Sequence, residues 1–262
     1  MPAATGGPQG RQTTAALVTT MLQFANYKGA RSAGVGFRAL AMLVVLSTAG
    51  ACTAASGPRG GPPDAPVALL MDDPEADAPL LRGDWEEAVR LHRALIEKQP
   101  DNGRAQYHLG YAWGQLGQSA EEIAAYQEAA RLGVREGLLY YNLGIALATA
   151  REDYDGAIAA FREGLRLTPD DPELWYNLGV AYLSKREFAG ARDAFFAALE
   201  RGPDHLDARN NLAHALLGLG DRAGARAAWE EILRTDPGNL QAQTNLRLLE
   251  QQEGRAPGTP RP

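Results

Sequence analysis

The sequence predicts an all-α solenoid, a stack of antiparallel helix pairs. Three observations carry that expectation. Leucines recur at Leu109, Leu143, Leu178, Leu212 and Leu246, spaced 34, 35, 34 and 34 residues apart. Other rows keep the same step. Gly110, Gly144, Gly179 and Ala213 form a small-residue row, and Ala88, Glu122, Ala157, Ala191 and Ala225 a second. His92, Tyr126, Phe161, Phe195 and Trp229 form a row of rings. Within each half-unit, apolar residues recur three to four apart, the spacing of one helix face. A fixed period of this length means one supersecondary unit used repeatedly. A single helix pair cannot bury its own apolar face, so the units must stack.

The chain opens with an address. Residues 1–51 contain Arg11, Lys28, Arg31 and Arg38 and no acidic group. An apolar run from Ala39 to Leu46 follows, then small residues from Ser47 to Ala51. Basic flank, short apolar core and small residues make an export signal. The core is shorter than the roughly 20 residues a membrane span needs. Residues 1–20 lengthen the leader, and Met21 as the true start would give an ordinary signal. Cys52, the only cysteine, rules out a disulfide framework. Residues 52–74 then read as a Gly/Pro-rich tether. Its first fourteen residues after Cys52 reach roughly 20 Å.

The repeats follow. Residues 75–102 form a degenerate first unit, with a good second helix from Asp84 to Gln99. Pro74 and Pro79 should break its first helix or leave it short. Four full units fill 103–136, 137–171, 172–205 and 206–239. Gly83, Gly117 and Gly220 mark turns inside units, and Arg151 to Asp153 and Arg186-Glu187 fill the other two. Pro100, Pro169, Pro203 and Pro237 close units, with Val134 in place of a fifth proline. Residues 240–252 form a capping helix, and 253–262 a loose tail.

These residues resemble two known families. Trp175, Leu178, Gly179, Tyr182, Ala191, Phe195 and Pro203 match the tetratricopeptide-repeat pattern in full. The resemblance covers about 75–250. It implies a right-handed superhelix whose first helices line a concave groove that grips a peptide or helix. The matching residues are Tyr107, Tyr141, Tyr176 and Asn210, then His108, Asn142, Asn177 and Asn211, then Tyr111, Ile145, Val180 and His214. Tyrosine offers contact area with a polar tip, and asparagine a donor and an acceptor. The same residues can instead brace adjacent helices. Separately, Ala49-Gly50-Ala51-Cys52 resembles the lipobox of bacterial lipoproteins. That implies lipidation of Cys52 and a membrane held through the lipid anchor. An ordinary cleaved signal with an incidental cysteine, and an uncleaved anchor over 39–55, are the alternatives to a lipid anchor. Thr53, rather than the Asp of that family's retention signal, implies the outer membrane, facing the periplasm.

Chemistry is sparse. There is no P-loop, H-E-x-x-H or G-x-S-x-G. Gly34, Gly36 and Ala39 satisfy G-x-G-x-x-A but sit in the export signal. His92, His108, His205 and His214 read as singletons, His92 as a core imidazole, so no metal, cofactor or catalytic residue is expected. Pairs such as Glu121-Glu122 and Glu230-Glu231 read as solvated faces. Residues 52–262 carry 22 basic and 32 acidic groups, net −10. So acidic a body disfavours nucleic acid. Some relatives in the repeat family clamp a C-terminal carboxylate with lysines. Here tyrosines stand at those places and Arg104 is the nearby base, so a neutral or apolar segment fits better. The expected partner is another envelope protein, with no small-molecule substrate. The array is similar to lipoproteins of pilus or secretin assembly. Scaffolds for cell-wall enzymes or outer-membrane assembly, and a self-associating scaffold, stay open.

Overall fold

The computed structural model describes residues 72–254, all in a single unit of the chain. The expectations for the leader, Cys52, the tether to residue 71 and the tail from 255 lie outside the described residues. Among the described residues there are eleven helices and no strand. They are α1 Pro74–Arg82, α2 Trp85–Lys98, α3 Gly103–Gln115, α4 Ser119–Arg131, α5 Gly137–Arg151 and α6 Tyr154–Leu167. The series continues with α7 Pro172–Ser184, α8 Phe188–Arg201, α9 Leu206–Gly218, α10 Arg222–Thr235 and α11 Leu240–Glu253. Each full unit is one pair, and α11 caps the stack. None of these helices is long and apolar enough to cross a membrane.

Side-chain caps set most helix starts. Asp84, Asn102, Asp153, Asp171, Asp221 and Asn239 each accept a backbone N–H from the first turn. The turns inside the pairs need left-handed backbone. Gly83, Gly117 and Gly220 supply it at φ 73°, 74° and 83°. Glu152 and Arg186 take the same role at φ 51° and 61°, where a Cβ is costly.

The first helix corrects the proline expectation. α1 is short, as anticipated, but continuous. Pro74 occupies its opening turn, where no N–H is required. Pro79 lies inside it and forfeits one ladder bond. Two compensations stand out. Asp73 caps the helix by accepting from Glu75 and Ala76. Gly83 and Asp84 close it by donating to Leu80 and Pro79.

Close packing within each helix pair follows from the small-residue and ring rows. Tyr126, Phe161, Phe195 and Trp229 are all at most 1% exposed. A Cβ on Gly110 or Gly179 would lie 2.6 Å from the Tyr126 or Phe195 ring, and one on Gly144 would enter the Phe161 ring. The glycines therefore exist so that the second helix can approach. Glu122 departs from the solvated-face expectation. It is buried, because Gly114 opposite it leaves space that a side chain would fill. First helices of successive units also touch: α3 with α5, α5 with α7, and α7 with α9. Successive second helices stand farther apart. The stack thus curves, with the first helices inside.

Candidate functional site

The inner face is built by one register on each first helix. Positions i, i+4 and i+7 share a face. On α5 these are Tyr141, Ile145 and Ala148, and on α7 they are Tyr176, Val180 and Leu183. All six are half-buried and packed on the core from outside. On α9 the set is Asn210, His214 and Leu217, with His214 and Leu217 half-buried. Tyr111 on α3 is half-buried and meets Trp85 edge-on at 5.9 Å. The result is an apolar stripe running across units. Ala148, Leu183 and Leu217 extend the expected set by one turn. Adding seven to the tyrosine row would have found them.

Four expected groove residues lie deeper. Tyr107 and His108 are 2% exposed, and Asn210 and Asn211 only 7% and 5%. They are interior groups rather than groove wall. Tyr107 packs on Tyr126 at 5.8 Å, and its phenol is pushed up in pKa by burial. Asn210 accepts from Trp229 Nε1 at 3.0 Å, which fixes that ring in the seam.

The asparagine row braces neighbouring units. Asn142 Nδ2 donates to the Tyr107 hydroxyl and Asn211 Nδ2 to the Tyr176 hydroxyl, both at 3.4 Å. Asn245 Nδ2 donates to Asn210 Oδ1 at 3.2 Å. Asn177 also reaches the Tyr141 hydroxyl and donates to the Glu173 carbonyl at 2.8 Å. Each of these rungs links residues 35 or 36 positions apart, one repeat on. The tyrosines therefore hold the stack with their tips, Tyr107 from the interior and the half-buried Tyr141 and Tyr176 from the inner face.

Charge near this face is acidic or cancelled. Arg104 lies 2.7 Å from Asp72 and 3.2 Å from Glu136, so its charge is spent on both. Glu173 is exposed on α7, 3.5 Å from His205, whose ring stacks on Tyr176 at 4.5 Å. Nothing here would clamp a carboxylate. His214 meets Trp229 edge-on at 5.5 Å. Its Nε2 is buried without a hydrogen-bond partner, and burial lowers its pKa to about 4.

His92 and His108 were expected to be singletons, and that reading is corrected. Both rings are buried and meet edge-on at 5.3 Å. Asp77, which sequence reasoning passed over, joins them. It is 1% exposed, and its Oδ1 lies 3.0 Å from His92 Nε2 and 2.8 Å from His108 Nδ1. Asp77 falls 34 residues before Tyr111, in the same row as Ile145, Val180 and His214. Alignment of the first unit on that row would have exposed it, but the two prolines argued against such an alignment.

Three family models match the chain. Two described as tetratricopeptide repeat match residues 75–133 and 183–249, and one described as TPR repeat matches 148–186. Together they cover more than half of the sequence. No curated protein matches it. Among solved structures, YrrB, a TPR protein with an unusual peptide-binding site, aligns with TM-score 0.62 and 21% identity. The alignment covers 66% of this chain and 88% of YrrB. A MamA protein aligns with TM-score 0.58 and 21% identity over 75% of this chain and 98% of its own. MamA 41-end from Desulfovibrio magneticus RS-1 gives TM-score 0.58 and 18% identity, with 66% and 97% covered. At these identities the likeness is one of fold. The repeat rows, the glycine-to-ring seams and the matched models agree: the chain belongs to the tetratricopeptide-repeat family.

Proposed function

We propose that this chain is a non-catalytic scaffold that holds another protein of the bacterial envelope on its inner face. The observation that carries the reading is the half-buried stripe of Tyr141, Ile145, Ala148, Tyr176, Val180 and Leu183 on α5 and α7. A neutral or apolar peptide or helix matches it, since the nearby charges are acidic or paired. The fold shared with YrrB, whose peptide-binding site is its stated feature, favours the same use. Lipidation of Cys52 would place the scaffold at the membrane, with the repeats in the periplasm. Assembly of a pilus or secretion machine is the assignment that this layout suits best.

The test compares the full chain with a Tyr141→Ala/Tyr176→Ala variant for capture from detergent-solubilised envelopes. Circular dichroism checks that both are folded. One envelope protein enriched by the wild type and lost with the variant is the expected result. Identical capture by both would sink the inner face as the site. A self-associating scaffold is the second reading, favoured by Leu240 and Leu248, which α11 leaves 76% and 42% exposed. Light scattering that grows in mass with concentration would select it.

A further inference from the structure

Asp77, His92 and His108 form a buried cluster of three titratable side chains in mutual contact. Internal comparison shows how local the departure is. In the row of Asp77 the other units carry Tyr111, Ile145, Val180 and His214. In the row of His92 they carry Tyr126, Phe161, Phe195 and Trp229. In the row of His108 they carry Asn142, Asn177, Asn211 and Asn245. Three replacements, on α1, α2 and α3, converge on one point. Buried charge costs more than the apolar packing that the other units use. The cluster therefore does something that packing alone would not.

Proton accounting says what is missing. Asp77 Oδ2 already accepts the backbone N–H groups of Asp72 and Asp73, at 2.9 and 3.0 Å. His92 Nδ1 lies 2.8 Å from the Ala88 carbonyl oxygen. A carbonyl only accepts, so Nδ1 carries the proton. In a neutral imidazole, Nε2 then presents a lone pair to Asp77 Oδ1, which also offers a lone pair. Two acceptors at 3.0 Å need a proton or a metal cation between them. The three ligand atoms lie within 4.8 Å of one another. A second ring nitrogen bonded to a backbone carbonyl, and a second carboxylate oxygen held by N–H groups, are the outer contacts that orient metal ligands.

We infer that Asp77 Oδ1, His92 Nε2 and His108 Nδ1 are a binding site for a divalent transition-metal ion of the zinc class. Two imidazoles and one carboxylate suit zinc, cobalt or nickel better than calcium or magnesium. Three protein ligands account for three of the four positions of a tetrahedral ion. The ion joins α1 to α2 and α3. It serves structure: it locks α1, nine residues long and interrupted by Pro79, onto the first full unit.

The test uses the full chain, stripped with EDTA and dialysed, then titrated with Zn²⁺ and with Co²⁺. Two variants place residues of the other units at these positions, and circular dichroism checks that each is folded: His108→Asn, which leaves the Asp77 contacts to Asp72 and Asp73 in place, and Asp77→Val/His92→Phe/His108→Asn. Expected are one equivalent of Zn²⁺ by mass spectrometry under native conditions and visible Co²⁺ bands displaced by Zn²⁺. Affinity should fall at least tenfold in His108→Asn and to background in the triple variant. Zn²⁺ should also raise the melting temperature of the wild type and not that of the triple variant. Equal uptake by wild type and triple variant overturns the site and assigns binding to surface groups. No uptake by the wild type overturns it too, leaving an imidazolium–carboxylate hydrogen-bond network as the positive charge between Asp77 and His92.

Discussion

His214 is a residue whose surroundings conflict with its chemistry. Its imidazole is pressed on Trp229 with Nε2 unpartnered, so the charged form is disfavoured in the fold. Its pKa of about 4 in the fold compares with 6.5 for a free histidine. Above pH 6.5 both folded and unfolded chains hold it neutral, and stability is unaffected. Below that, the unfolded chain gains the proton first, so stability falls as pH drops from 6.5 towards 4. The full difference is about 3 kcal/mol. Urea midpoints between pH 7 and pH 4 should fall less steeply in His214→Leu than in the wild type. Parallel slopes would refute the assignment. The sequence marked His214 as a groove residue by its register, and the structure leaves it half-buried on α9 beside Leu217. Its burial was not legible, because Trp229 comes from the next helix and only the fold shows how deeply the two nest. The same holds for Tyr107 and Asn210, whose rows were plain but whose depth depends on the neighbouring unit.

The helices themselves were almost wholly legible, because caps, turns and periodicity agree. The 35-residue step, for instance, announced an extra residue at 151–153, and Glu152 is where the backbone turns left-handed. That position carries a side chain only by tolerance. It is exposed, so Glu152→Gly should remove the strain without loss of a contact. The expected gain is about 0.5–1 kcal/mol, after the added flexibility of the unfolded chain is subtracted. A rise in thermal midpoint checks it, and a fall would show that the glutamate has a hidden role. Arg186, at φ 61°, should gain less, since its guanidinium lies over the Phe188 ring at 5.7 Å. α1 was the element that the sequence read only in part: short, as expected, but regular rather than irregular. Pattern reasoning weighs each proline separately. Pro74 falls where a helix needs no N–H, and the side chain of Asp77 ties the helix start from within.

Over the whole described stack, each unit leans on its neighbours, so stability is close to a sum of units and seams. Ending the chain at residue 239 would remove α11, with Ala242 and Leu249 buried at 0% and 2%, and the Asn245 rung. We expect a loss of at least about 2 kcal/mol and aggregation through the bared end. Hydrogen exchange should quicken in α9 and α10 and stay slow in α3. Uniform quickening would mean that the stack melts as one block. The rungs carry a further consequence for how such a chain changes in length. Tyr107 receives Asn142 as Tyr141 receives Asn177. If residues 137–171 were lost in a single copying error, Asn177 would arrive opposite Tyr107 and Phe195 would meet the space beside Gly179 as before. Gene segments of this size are thus interchangeable parts, and inheritance can lengthen or shorten the inner stripe without inventing a new contact.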